Sequence, residues 1–166
     1  YKVLEFAGDG ISNMTIAQRL SVANMAVEAG AKAGLFPADE ITRQYLVRQG
    51  RSEDYQPVIA DADAVYERVI NIDLSQLEPI VAIPHAVDNL APARELKGTR
   101  IEQVFIGTCT NGRLEDLEIV ARILQGKHRH SGTRLIIAPA SRNVLLAATL
   151  EGYVQTMLES GAVILP

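Results

Sequence analysis

Apolar and polar positions form strand-like and helix-like runs in alternation along the chain. Residues 2–6 alternate as a half-buried strand does, and apolar residues then recur at helical spacing to about Gly30. Ser12 or Asn13 is the expected cap of that helix. Further strands are predicted at 32–36, 68–74, 80–83, 102–106, 134–138 and 162–165. Further helices are predicted at 39–48, around 117–124 and at 141–160, with a single helical turn at 60–66.

The last third of the chain has the clearest pattern, which runs strand, helix, strand, helix, strand. Such an order predicts right-handed crossovers and a parallel or mostly parallel sheet covered by helices on both faces, an α/β fold. Ligands of such sheets usually bind beyond the carboxyl ends of the strands. Cys109 follows one of these strand ends and is therefore expected to face outward.

Residues 84–98 contain proline, aspartate, asparagine and glycine and are predicted to be an irregular connector. We take this segment as a boundary between a first lobe, 1–83, and a second lobe, 99–166, which carries Cys109.

Composition and charge narrow the classes of function. The 166 residues are 48% hydrophobic, enough for a substantial core. The net charge is −4 and the basic residues are scattered, so the footprint of a nucleic-acid-binding protein is missing. No apolar stretch approaches the roughly 20 residues of a membrane span, and no basic segment precedes an apolar run at the start, so we expect neither membrane insertion nor secretion. A single cysteine excludes an internal disulfide, and we expect a cytoplasmic protein.

Cys109 lies in a turn of small residues, where three kinds of chemistry remain open: a nucleophile, a ligand to a metal or cluster, or an inert thiol. A nucleophile needs a base, and the pattern places none of His85, His128 and His130 beside the turn. A mononuclear zinc site would need a second cysteine or histidine at ligand spacing, which the sequence lacks.

Residues 106–113, Ile-Gly-Thr-Cys-Thr-Asn-Gly-Arg, are followed by Glu115 and Asp116. This segment resembles the first cluster-binding motif of the aconitase superfamily, most of all that of the large subunits of 3-isopropylmalate dehydratase. Further blocks similar to that family occur in the same order at 1–6, 24–31, 72–79, 84–89, 138–141 and 159–162. The resemblance covers essentially the whole chain.

The resemblance implies a [4Fe-4S] cluster held by three cysteines, of which Cys109 matches the first. The other two belong to a segment that follows Pro166 in the family, so we expect the chain to be an internal fragment without cluster or activity by itself. The parent enzyme would be a hydro-lyase of leucine biosynthesis that interconverts 2-isopropylmalate and 3-isopropylmalate. Its implied partners are a small subunit and a hydroxy-dicarboxylate substrate, and the fragment is expected to self-associate. Homoaconitate hydratase, aconitase and a non-catalytic partner-binding domain are the alternatives.

Four more residues match family positions around the active site. The resemblance assigns Asn24 and Glu28 to catalysis, and their i, i+4 spacing predicts one shared helix face, which could also be only a solvated face. Asn111 and Arg113 are assigned to the substrate or cluster environment. Asn111 could instead cap a helix, and Arg113 could form exposed pairs with acidic neighbours. The histidines, with Glu151 and Glu159, receive no role.

Overall fold

The computed structural model describes residues 1–165, and the chain divides into two compact units, 1–99 and 100–166. Each unit is described by itself. The division falls one residue after the predicted connector. The lobes inferred from that connector stay a prediction.

The first unit begins with a strand, a helix and a second strand. β1 (Lys2–Glu5) pairs in parallel with β2 (Ala31–Leu35), and α1 (Ile16–Met25) lies between them in the chain. The predicted caps of α1 are wrong, because a 3₁₀ helix occupies Asp9–Asn13. Thr15 caps α1 instead, in a reciprocal box with Gln18.

The helix α1 also ends earlier than predicted, at Met25. Residues 26–30 continue as turns, in which Glu28 N–H donates to Met25 O at 3.2 Å and Gly30 N–H to Val27 O at 2.9 Å. Gly30, at φ +78, then directs the chain into β2.

The rest of the first unit contains a helix, a long irregular segment and a hairpin. α2 (Glu40–Arg48) lies where it was predicted, with Asp39 as its N-cap. The predicted turn of helix at 60–66 is only a tight turn, in which Ala64 N–H donates to Asp61 O at 3.0 Å. The strand predicted at 68–74 is wrong, because those residues pair with no neighbouring strand and only Leu74–Gln76 forms a 3₁₀ turn. β3 (Ile80–Ala82) pairs antiparallel with β4 (Leu90–Pro92). The predicted connector is therefore partly regular, and its 3₁₀ helix spans Ala93–Leu96.

The second unit is a parallel sheet in the order β5-β6-β7. Its elements are β5 (Gln103–Gly107), α3 (Thr108–Asn111), α4 (Leu114–Leu124), β6 (Arg134–Ala138), α5 (Arg142–Leu150), α6 (Tyr153–Glu159) and β7 (Val163–Ile164). Phe105 lies opposite Ile136, which in turn lies opposite Val163. The predicted α/β class, with parallel sheets flanked by helices, is confirmed.

One hydrophobic core joins the helices of this unit to its sheet. Leu117 of α4, Ala148 of α5 and Met157 of α6 are fully buried against Ile137 of β6. The predicted single helix over 141–160 is interrupted at Gly152, whose φ of +78 separates α5 from α6. The break lets both short helices reach the same core.

In the first unit an ion pair joins α1 to the start of α2, and the sequence pattern did not predict it. Arg19 of α1 carries a charge, yet it is 2% exposed. Its Nη1 and Nη2 donate to the two carboxylate oxygens of Asp39, each at 2.8 Å, and Nη2 also donates to Ile11 O at 2.9 Å. Its guanidinium carbon is 6.0 Å from the ring centroid of Phe36, which stacks on Phe6 at 4.8 Å. The Arg19 side chain thus joins α1 to the start of α2 and to the end of β2, and the stack of Phe36 on Phe6 extends the contact to the end of β1.

No helix within residues 1–165 combines the length and apolar character needed to cross a membrane.

The substitution Asp39→Asn should lower the free energy of unfolding by about 2–3 kcal/mol, because it leaves the Arg19 charge buried and uncompensated. This loss is smaller than the roughly 3–5 kcal/mol expected for a fully buried pair, because the Asp39 side chain is 36% exposed. Asparagine still caps α2, so the loss reports on the ion pair. Urea unfolding measures it, with Glu40→Gln as the control because the Glu40–Arg43 pair is exposed. Equal losses in both variants would contradict the assignment.

Stability should also depend on acidification through Asp39. Hydrogen bonds from Arg19 hold the pKa of that carboxyl below its ordinary 3.8, against the opposing effect of burial. A carboxyl with a lowered folded-state pKa stabilises the fold at pH values above its unfolded pKa, and the contribution is lost as the pH falls through the folded pKa. The difference in unfolding free energy between the native chain and Asp39→Asn should be constant above about pH 5 and shrink below about pH 4. A difference that persists undiminished at about pH 2 would contradict this.

Candidate functional site

Cys109 lies at the carboxyl end of β5, in the one-turn helix α3 that follows directly. Its thiol is exposed, as the strand-end position predicted. The predicted polar turn is a single turn of helix.

Two glycines hold this turn against the neighbouring strand. Gly107 has φ +128, and a Cβ there would lie 1.9 Å from Ala138 O. A Cβ at Gly112 would lie 2.6 Å from the same oxygen. Gly112 N–H donates to Thr108 O at 2.9 Å, and Ala140 N–H donates to Gly112 O at 2.8 Å. Both ends of the turn therefore pack on the backbone that leaves β6.

Thr108 adopts φ +72, a conformation that is unfavourable for a β-branched residue. Such a conformation costs roughly 1–3 kcal/mol and persists only where its surroundings enforce it. The contacts of Gly107 and Gly112 supply that enforcement on either side of Thr108 and Cys109.

Polar contacts of Asn111, Arg113 and Asp116 complete the turn. Arg113 Nη2 donates to Cys109 O at 3.0 Å, and Asp116 Oδ2 accepts from Arg113 N–H at 3.0 Å. Asn111 Nδ2 is 3.5 Å from Asp116 Oδ1, a long hydrogen bond. The structure thus brings three of the predicted site residues together and adds Asp116, which the sequence reading left as an acidic neighbour. An acidic residue three positions after a helix cap was the available signal.

Asn24 and Glu28 lie in the first unit and are both exposed. Asn24 is in the last turn of α1, whereas Glu28 lies three residues beyond the end of that helix. The prediction that they share one face of a regular helix is therefore wrong, because turns in which residue i+3 donates to residue i replace the helix between them. Their assignment to catalysis stays a prediction.

Among residues 1–165, the Cys109 thiol is the one soft metal ligand that a cysteine supplies. Within residues 1–165, no group of three or more His, Cys, Asp or Glu side chains is placed to hold a metal ion. His85 and His128 are exposed, and His130 Nδ1 accepts from Gly132 N–H at 3.1 Å in its own loop. An exposed thiol on a rigid turn fits a single ligand position of a cluster, and the described residues supply no second cysteine.

The sequence pattern of the Aconitase family (aconitate hydratase) matches residues 1–96 and 85–166, which together span the chain. The chain belongs to the aconitase family. The recognition made from residues 106–113 is thereby confirmed.

Curated proteins similar to this chain carry names that are more specific than the family name. The chain is 53% identical over 165 residues to 3-isopropylmalate dehydratase large subunit 2 of Archaeoglobus fulgidus, covering 99% of this chain and 40% of that protein. It is 56% identical over 162 residues to the 3-isopropylmalate dehydratase large subunit of Elusimicrobium minutum, covering 98% and 39%. A protein named as a probable methanogen homoaconitase large subunit, from Methanosarcina mazei, is 48% identical over 161 residues, covering 97% and 40%. The chain thus spans about 40% of the length of these relatives.

Gly107→Ala should destabilise the chain by about 3 kcal/mol or more, because it combines a positive φ with a collision against Ala138 O. Gly126→Ala is the matched control, since Gly126 has φ +68 and open space around it. Its cost should be only about 1 kcal/mol. Thermal or urea unfolding of both variants measures the difference, and equal costs would show that the close approach at Gly107 is unimportant.

Proposed function

We propose that this chain is the part of a 3-isopropylmalate dehydratase-type hydro-lyase that presents the first cysteine ligand of a [4Fe-4S] cluster. The observation that carries the proposal is the exposed Cys109 thiol at the carboxyl end of β5, on a turn that Gly107 and Gly112 hold against β6. Identity of 53% and 56% to proteins named as large subunits of that enzyme supports it.

The proposed work of the chain's own residues is binding and orientation. Cys109 supplies one thiolate, and Asn111 contributes its amide from the same turn, where that amide contacts Asp116. Asn24 and Glu28 contribute polar groups toward the hydroxy-dicarboxylate. When bound, a cluster with an open iron supplies Lewis-acid chemistry for removing and returning a hydroxyl group.

In the same proposal, the full activity requires the rest of the large subunit and a second subunit. The remaining cluster cysteines come from the part of the full-length large subunit that this chain does not span, which is about 60% of the relatives' length. A small subunit is the proposed partner, because the relatives are named as large subunits. We place the enzyme in the cytoplasm. By itself the chain is proposed to be inactive and to self-associate through its exposed apolar side chains, among them Ile59, Val65 and Ile70.

A homoaconitase-type large subunit is the second candidate, and identity of 48% to the Methanosarcina mazei protein favours it. Both candidates place the same thiolate at the same turn, so they differ only in the side chain of the hydroxy acid. Activity of the full-length enzyme with isopropylmalate and with homocitrate separates them.

The substitution Cys109→Ser in the full-length large subunit, assembled with its small subunit, tests the proposal. We expect loss of bound iron and of the visible cluster absorbance after reconstitution with iron and sulfide, and more than about 100-fold lower hydratase activity. His128→Ala is the control, because His128 lies exposed in a surface turn. Full iron content in Cys109→Ser would overturn the proposal.

A further inference from the structure

The guanidinium of Arg113 is directed at the protein backbone. Its Nη2 donates to Cys109 O at 3.0 Å, while its Nε is buried and has no hydrogen-bond partner within residues 1–165. A buried donor without a partner carries a desolvation cost, so it marks a side chain held in place by its packing and its remaining contacts. This placement differs from that of an arginine that reaches out to a substrate carboxylate.

The main chain of Arg113 is held as well. Asp116, in the first turn of α4, accepts from Arg113 N–H at 3.0 Å. A carboxylate at that end of a helix is also favoured by the helix dipole. Arg113 therefore has a fixed backbone from which its side chain reaches back four residues.

The carbonyl that Arg113 contacts needs a donor. The last carbonyls of a helix lack partners inside it, and α3 has only four residues. Thr108 O is satisfied by Gly112 N–H, and Cys109 O by the Arg113 guanidinium. A charged donor makes a stronger hydrogen bond than a neutral one.

We propose that Arg113 is a positioning residue, which fixes the direction of the Cys109 side chain by holding the Cys109 carbonyl and does not bind substrate. The inference rests on the proposed function of Cys109 as a cluster ligand. The bond from Arg113 holds the peptide group that follows Cys109, so rotation about the Cα–C bond of Cys109, which changes the direction of its Cβ relative to that group, is opposed. The Thr108 conformation at φ +72 makes such restraint necessary.

Hydrogen exchange of the 166-residue chain tests the restraint without any cluster. Arg113→Met keeps an unbranched apolar stem and removes the donor, whereas the Arg113 N–H bond to Asp116 remains. We expect the Gly112 amide to exchange about tenfold faster, with the Ala121 amide inside α4 unchanged. Arg122→Met is the matched control, since Arg122 lies on the same helix in an exposed pair with Glu118. Gly112 exchange within about twofold of the unsubstituted chain would overturn the proposal.

The full-length large subunit with its small subunit gives a second readout. After reconstitution with iron and sulfide, Arg113→Met should release iron to a ferrous chelator about tenfold faster, with the KM for isopropylmalate within about twofold. An increased KM with unchanged iron release would assign Arg113 to substrate binding and overturn the proposal. Failure of the proposed function is a separate result, namely full iron binding by Cys109→Ser.

Discussion

The contact between Gly107 and the Ala138 carbonyl allows β5 and β6 to end side by side with no side chain between them. A Cβ at Gly107 would lie 1.9 Å from that oxygen, closer than any two such atoms can approach. Because the strands meet this closely, the next residues must turn sharply, and Thr108 is held at a positive φ. The exposure of the Cys109 thiol follows from this turn, so the proposed ligand depends on an absent side chain two residues before it.

Each unit contains one arginine whose guanidinium donates hydrogen bonds that link separate parts of that unit. Arg19 joins secondary-structure elements through a carboxylate and a carbonyl, and Arg113 joins a helix cap to the carbonyl of Cys109. Each has a buried Nε that lacks a hydrogen-bond partner in the described part of the chain. Burying a charge is costly, so such contacts add little net stability compared with an apolar contact of equal volume. These contacts fix the orientation of the groups that they join, because a planar guanidinium satisfies its acceptors only in defined geometries.

Membership of the aconitase family gives these local observations their functional meaning. An exposed thiol on a rigid turn is compatible with several chemistries. Residues 1–165 contain no group of three metal-ligating side chains that would favour one of them. The family match and the named large subunits make a shared cluster the best-supported use of the thiol. In the proposed function, Cys109 is one ligand and the other cysteines of the cluster belong to the rest of a longer subunit.

The sequence by itself determined the parallel β5–β6–β7 unit, the position of α2 and the outward placement of Cys109. These features depend on short-range patterns of apolar residues and caps, which are present in the chain order. The strand predicted at 68–74 failed because a strand needs a neighbour, and alternation alone does not provide one. Glu28 was assigned to a helix face because helical spacing does not reveal where turns with hydrogen bonds from residue i+3 to residue i replace the helix. Only the tertiary structure decided the burial of Arg19, because its partner Asp39 is 20 residues away in the chain. It also decided the direction of Arg113, because the turn that presents Cys109 O to this side chain is packed against the end of β6.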